Sequence, residues 1–257
     1  MKRPRADILL VREAEKSFGA VVALGGVSFN VGQGEVLALL GDNGAGKSTL
    51  IKAISGVHRL DAGTITFDGV DITGANAMTV RAHGIETVYQ DLALFDNLDP
   101  AANFFAGRED AGPSWLPRAL RVMRHRRMVD RTRHLLERLQ VRLPDLHAVV
   151  ALMSGGQRQA VAVARAVAFS SKLVILDEPT AALGLRESAR VLDLIRRLRD
   201  DGVAVILISH SMDHVMAVAD RAVVLRRGRI VGETVPSAEN HTQLVAWIVG
   251  ATEGSDI

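Results

Sequence analysis

A chain of 257 residues with 48% hydrophobic composition can bury one large core or two modest ones, and no run approaches the 18 consecutive apolar residues of a membrane span. A formal net charge of +2 gives no whole-chain footprint for nucleic acid, and the lack of cysteine excludes disulfides and thiolate metal sites. Any metal is expected to be a hard ion held by oxygen ligands and phosphate. The start Met1-Lys2-Arg3-Pro4-Arg5 leads into a strand-like segment rather than an apolar signal core, so a soluble, cytoplasmic protein is expected.

In chain order, Ile8 to Val11 and Val21 to Val31 read as strands separated by a turn at Ser17-Phe18-Gly19. Two readings are open for Phe18: stacking on an adenine ring, or packing within the turn. The apolar run Val36 to Leu40 has the length of a buried strand. It is followed by Gly41-Asp42-Asn43-Gly44-Ala45-Gly46-Lys47-Ser48-Thr49 and then by Leu50 to Ile54, which can continue a helix. Strand, glycine loop and helix in this order form a phosphate-binding loop. Its glycines let backbone N–H groups turn toward an anion, Lys47 can reach the β- and γ-phosphates of a nucleotide, and the Ser48 hydroxyl can ligate Mg²⁺. A purely structural turn is the competing reading, and the three matching contexts weigh against it.

Asp61-Ala62-Gly63 reads as a turn before the alternating Thr64 to Phe67, with a second turn at Asp68-Gly69, so an antiparallel layer is expected near the loop. Ile85 to Tyr89 reads as a strand ending at Gln90-Asp91. Gln90 can contact Mg²⁺ or an attacking water there, or be an ordinary solvated loop residue. From about Leu92 to Arg165 the pattern is predominantly helical and marks a second lobe. Within it, Pro117 to Gln140 carries Arg118, Arg121, Arg124, Arg126, Arg127, Arg131, Arg133 and Arg138 against Asp130 and Glu137, with Leu120, Met123, Leu135, Leu136 and Leu139 available as an inward face. RNA or lipid headgroups are conceivable partners of that helix; a solvated face with arginine stems over apolar surface is the ordinary reading.

Met153-Ser154-Gly155-Gly156-Gln157-Arg158-Gln159 opens a helix whose continuation, Ala160 to Phe169, is small or apolar except for Arg165. Ser154 is a good cap, and this second glycine-rich helix start suggests a second anion contact. The apolar strand Leu173 to Leu176 delivers Asp177-Glu178 at its tip. Asp177 can hold Mg²⁺ through its water shell, and Glu178 can polarise the water that attacks the γ-phosphate. Leu192 to Arg199 fits an amphipathic helix, and Val203 to Ile208 a strand ending at Ser209-His210. His210 is placed to hydrogen-bond the γ-phosphate and orient water. Ala222 to Gly232 reads as a hairpin turning at Arg226 to Arg229, and His241 to Val249 as a short helix including Trp247.

Over roughly Ile8 to Thr234 the sequence resembles the ATP-binding cassette family. The loop Gly41–Thr49, Gln90, the signature Ser154-Gly155-Gly156-Gln157, Asp177-Glu178 and His210 stand in that family's order and approximate spacing. The resemblance implies an α/β P-loop NTPase: a RecA-like core (1–91 and 166–257) with an antiparallel β layer and a helical signature subdomain (92–165), all in one cassette domain, 1–257. It implies Mg-ATP hydrolysis in a head-to-tail dimer, as a homodimer or with a related cassette. Lys47, Ser48, Gln90, Asp177, Glu178 and His210 of one chain would hold ATP, with Ser154 and Gly156 of the other closing over the γ-phosphate. Two membrane permease subunits would be driven through the surface near Gln90 and the helical lobe, giving a peripheral protein on the cytoplasmic side of the cell membrane. No direct nucleic-acid partner is implied.

Two departures stand out. Met153 replaces a common leucine, and Gly184 stands where many members place aspartate, which puts the usual cross-dimer carboxylate contact in doubt. The stretches Pro179 to Ser188, Tyr89 to Leu94 and Asp96 to Leu98 look like cassettes of bacterial ribose-, xylose- and fructose-type importers, here in single-cassette form. A periplasmic or extracellular sugar-binding protein would then select the cargo. Cassettes for amino acids or lipids, and a soluble nucleic-acid-associated ATPase, are the alternatives.

Overall fold

The computed structural model describes residues 6–109, 123–143, 145–168, 171–181 and 183–251. Strand β1 (Asp7–Phe18) pairs antiparallel with β2 (Val21–Gly32) and with β4 (Ala62–Phe67), whose other side meets β5 (Val70–Asp71). These four make the antiparallel layer, ordered β2-β1-β4-β5. Between them in sequence lies β3 (Val36–Leu40), which joins β6 (Ile85–Val88), β7 (Leu173–Asp177), β8 (Ala204–Ile208) and β9 (Arg221–Arg226) in a parallel sheet. Strand β10 (Arg229–Thr234) extends its edge antiparallel, giving the order β10-β9-β3-β8-β7-β6.

The sequence of β3 explains its central place. Five consecutive apolar side chains are buried, as a strand covered on both faces requires, and each contributes about 1.5–3 kcal/mol if large. Leu37 and Leu39 face helix α1 (Lys47–Ile54) and the antiparallel layer, in one core with Leu50, Ile54 and Phe67. Ala38 and Leu40 face the opposite way, toward α7 (Met212–Val218) and α8 (His241–Val249). On that second face, Val36, Val174 and Val205 also share a core with α3 (Pro100–Phe105), α4 (His125–Arg138), α5 (Gly155–Val167) and α6 (Leu185–Asp200). A further helix, α2 (Ala77–His83), precedes β6.

Arg221 joins the two sheets. Its guanidinium donates to Glu35 Oε1 (2.7 Å), Glu233 Oε1 (2.6 Å) and the Asn30 carbonyl (2.7 Å), linking β9 and β10 to β2 and to the turn before β3. The turn between β9 and β10 is itself tied in: Gly228 accepts from the Gly25 amide and donates to the Ala45 carbonyl, at 2.8 and 2.9 Å.

Several boundaries differ from the sequence expectation. Strand β1 is longer, because bulges at Val11/Ala14, with Glu13 at φ 45°, shift the inward period and let polar residues continue the strand. The segment Asp61-Ala62-Gly63 is a bulged strand entry rather than a free turn. The helical lobe is interrupted: Leu92 to Asp99 is not helical, and the arginine-rich helix begins at His125, with Met128, Val129, Thr132 and Leu136 inward. Met123 is therefore exposed, and Leu120, Arg118 and Arg121 lie outside the described residues, as does Phe169. Among the described residues no helix is long and apolar enough to cross a membrane.

Candidate nucleotide site

The loop between β3 and α1 is built on two glycines with demanding backbones. Gly46 has φ 108°, and a Cβ there would lie 2.5 Å from the Ala23 carbonyl; Gly41 has φ 149°, and a Cβ there would overlap the Leu225 carbonyl. Gly46 caps α1 without any side-chain hydrogen bond, so the first-turn amides of Lys47, Ser48 and Thr49 remain available at the positive end of the helix. Asn43, Gly44 and Ser48 are exposed, while Ala45 is buried beneath them. Lys47 Nζ donates to the carbonyls of Gly41 (2.7 Å) and Asp42 (3.0 Å), which holds the ammonium within the loop. Burial lowers its pKa, and the charges of Glu178, Asp177 and Asp42 act against that fall.

The parallel register brings the other groups alongside. Leu39 pairs with Ile208 and Ile208 with Asp177, so the ends of β3, β8 and β7 lie level. At the end of β7, Glu178 adopts φ 50°, a conformation costing about 1 kcal/mol or more for a side-chain-bearing residue. Its amide donates to the Ile208 carbonyl at 3.0 Å, which fixes this bend. The carboxylate is largely buried. His210 Nε2, from the end of β8, lies 3.4 Å from Glu178 Oε1 without hydrogen-bond alignment, and Oε1 has no hydrogen-bond partner. Burial raises the pKa of both carboxyls, opposed at Asp177 by Lys47 and then His210, and at Glu178 chiefly by His210.

Gln90 is exposed in the turn after β6, next to Tyr89, whose hydroxyl lies 3.2 Å from Ser55 Oγ. Phe18 stands half-exposed at the β1–β2 turn. Its ring meets His58 edge-on at 5.4 Å, and Lys16 Nζ lies 5.6 Å from its centroid. Ser154 caps α5 in a complete capping box, accepting from the Gln157 amide (3.3 Å) while Gln157 Oε1 accepts from the Ser154 amide (2.9 Å). No hydrogen bond joins this motif to the phosphate loop among the described residues. Ser154, Gly156 and Gln157 instead open onto a cavity of about 340 Å³ with Glu187 and Arg190, while Gly155 abuts Leu183. The structure thus gathers the loop, Asp177, Glu178 and His210, and leaves the signature on its own surface.

This donor set suits a nucleotide with a hard cation. Amides and an ammonium would face a phosphate tail, and the Ser48 hydroxyl, Gln90 amide and Asp177 carboxylate could offer oxygen ligands. Among the described residues no three acidic or histidine side chains gather as an all-protein metal cage. Sequence reasoning did not find the Arg221 junction or the left-handed backbone after Gln90. The one available signal was Arg165, a lone charge in the apolar continuation of the signature helix.

The family model described as ABC transporter matches residues 24–181. The chain is 48% identical over 226 residues to "Xylose/arabinose import ATP-binding protein XylG" of Sulfolobus acidocaldarius, covering 88% of this chain and 87% of that one. It is 46% identical to "Fructose import ATP-binding protein FrcA" of Rhizobium meliloti, covering 96% and 95%. Against "Ribose import ATP-binding protein RbsA 1" of Rubrobacter xylanophilus it is 42% identical but spans only 47% of that protein's length. Among solved structures, a nucleotide-free ATP-binding cassette from an ABC transporter superposes with a TM-score of 0.79 at 27% identity, covering 95% and 98% of the two chains. CbiO1 of Clostridium perfringens, part of the cbiONQ transporter complex, gives 0.77 at 28% identity, covering 96% of each. By sequence and by fold, the chain belongs to the ABC transporter family, as one of its ATP-binding cassette ATPases.

Proposed function

We propose that this chain is the Mg-ATP-hydrolysing subunit of an importer for a simple sugar. One observation carries the hydrolytic assignment: the buried, unpaired Oε1 of Glu178 beside His210, level with the phosphate loop. The amides from Gly41 to Thr49, including Asn43, Gly44, Ala45 and Gly46, cradle the phosphates, with Lys47 compensating their charge and Phe18 meeting the adenine. Ser48, Asp177 and Gln90 hold Mg²⁺, which supplies Lewis-acid polarisation and charge neutralisation when bound. Glu178 Oε1 accepts a proton from the attacking water, while His210 and Gln90 orient that water and the γ-phosphate.

Ser154, Gly155, Gly156 and Gln157 of a second cassette, either another copy or a related chain, complete the site by offering the amides of an N-terminal helix turn. The cassette pair then drives two permease subunits from the cytoplasmic face of the membrane, and an external binding protein delivers the sugar. Similarity to proteins named for xylose, arabinose and fructose import, over nearly the whole length of each, supports this cargo class. The test is ATP turnover by the purified chain: Glu178→Gln is expected to keep ATP binding and lose at least about 100-fold in kcat. Undiminished turnover removes the water-activating role. Co-purification from gently solubilised membranes, expected to recover a permease and a sugar-binding protein, tests the importer assignment separately.

A further inference from the structure

The turn that follows Gln90 is strained twice in succession. Leu92 and Ala93 have φ 59° and 45°, in the left-handed region that side-chain-bearing residues avoid. The turn's own backbone bonds, Leu92 amide to Tyr89 carbonyl (2.9 Å) and Ala93 amide to Asp91 carbonyl (2.7 Å), close it without explaining why it persists. The carbonyls of the same two residues are both taken by one side chain from another element. Arg165, in the last turn of α5, donates from Nη1 to Ala93 O (2.7 Å) and from Nη2 to Leu92 O (3.1 Å).

This guanidinium is half-buried. Burial lowers its pKa, Glu86 on β6 opposes that fall, and Arg81 adds to it. Glu86 in turn is engaged by Arg81 (3.2 Å) and Arg108 (3.3 Å), so the charge facing Arg165 is anchored to the strand that leads into Gln90. A strained turn survives only where its surroundings over-determine it, and here the two-pronged planar donor does so together with the packing of Leu92 and Leu94 against the helical core.

We infer that Arg165 is a positioning residue for Gln90: by gripping the Leu92 and Ala93 carbonyls it makes the glutamine turn and the signature helix one mechanical unit. A displacement of α5 then moves the Gln90 side as a rigid body instead of being absorbed by a flexible turn. The inference rests on the proposed reading in which Gln90 faces the γ-phosphate and its cation. Lysine cannot replace this contact, because a single ammonium lacks the fork that spans two consecutive carbonyls.

The test uses the full chain with Arg165→Lys, Arg165→Ala, Ala93→Gly and the double variant Arg165→Ala/Ala93→Gly. Both Arg165 variants are expected to lower kcat about tenfold with KM for Mg-ATP within about twofold, and to speed amide hydrogen exchange across residues 89–95 without changing it in β3 or β8. Glycine accepts a positive φ without strain, so Ala93→Gly should recover part of the kcat lost in Arg165→Ala. A purely structural arginine would lose stability and activity together and would not be rescued at residue 93. Unchanged exchange across 89–95 in both Arg165 variants, or kcat within twofold of the parent, overturns the inference. Gln90→Ala is measured alongside: full turnover in that variant overturns the role of Gln90 itself, while the exchange result still decides whether Arg165 holds the turn.

Discussion

Glu178 carries two costs that its position at the end of β7 imposes: a left-handed backbone, and a carboxylate surrounded by protein with one oxygen unpaired. Burial raises its pKa above the ordinary 4.5. For an acid whose folded pKa exceeds its unfolded one, folding favours the protonated form, so the group's contribution to stability falls as pH rises from the unfolded value through the folded one. Glu178→Gln removes that fall. The nucleotide-free variant is therefore expected to melt higher than the parent at neutral pH, by about 2–4 °C for each kcal/mol relieved, with the difference vanishing below pH 4 or so. Thermal melts of both proteins between pH 4 and 8 check this, and equal melting temperatures throughout would remove the argument. Phe18 poses a simpler question. Its ring is half-exposed and braced at its edge by His58, which leaves ring surface for adenine. Phe18→Ala should weaken ATP binding about three- to tenfold, the worth of one aromatic contact, as read by titration of a fluorescent ATP analogue.

At the scale of elements, the junction at Arg221 joins β9 and β10 to β2 and the turn before β3. Its side chain is only 18% exposed and Glu35 only 10%, so removing the guanidinium leaves a carboxylate desolvated with no cation beside it. Arg221→Met is expected to cost about 3 kcal/mol in chemical denaturation, and a loss below about 1 kcal/mol would mean that water replaces the arginine readily. This junction also shows what the sequence could not display. Glu35 and Arg221 are 186 residues apart, and nothing local to either marks the other. Legible features were those set by short-range chemistry: five apolar residues before a glycine loop, Ser154 as the cap of the signature helix, four apolar residues before paired carboxylates. Hidden features were those in which tertiary contact overrides local preference. Polar residues continue β1 because bulges change its period, and Leu92 and Ala93 take a glycine-like conformation where a distant arginine meets their carbonyls. Within the candidate site, residue types and strand-end positions were readable, while the unpaired oxygen of Glu178 and its 3.4 Å approach to His210 needed three dimensions.

At the scale of the molecule, the signature turn opens on the chain's own surface while the phosphate loop lies elsewhere, so in the proposed reading a second cassette completes the site. Purified Glu178→Gln is expected to sediment as a monomer without nucleotide and as a dimer with Mg-ATP. Adding Ser154→Arg should abolish the dimer while leaving ATP binding intact, apart from the roughly 1 kcal/mol lost with the helix cap. Persistence of the ATP-dependent dimer in the double variant would exclude the signature turn from the contact. The strand order has a further consequence. Because β8 lies between β3 and β7, the strands that end in the phosphate loop and in Glu178 run two strand spacings apart, about 10 Å at 4.8 Å per spacing. Hydrogen-bonded ladders do not stretch, so this interval works as a fixed gauge. Side-chain substitution changes what stands at the end of either strand and leaves the interval between the strands as it is. In the proposed reading, the reach from a bound phosphate to Glu178 is therefore set first by the threading of the sheet and only then by the side chains.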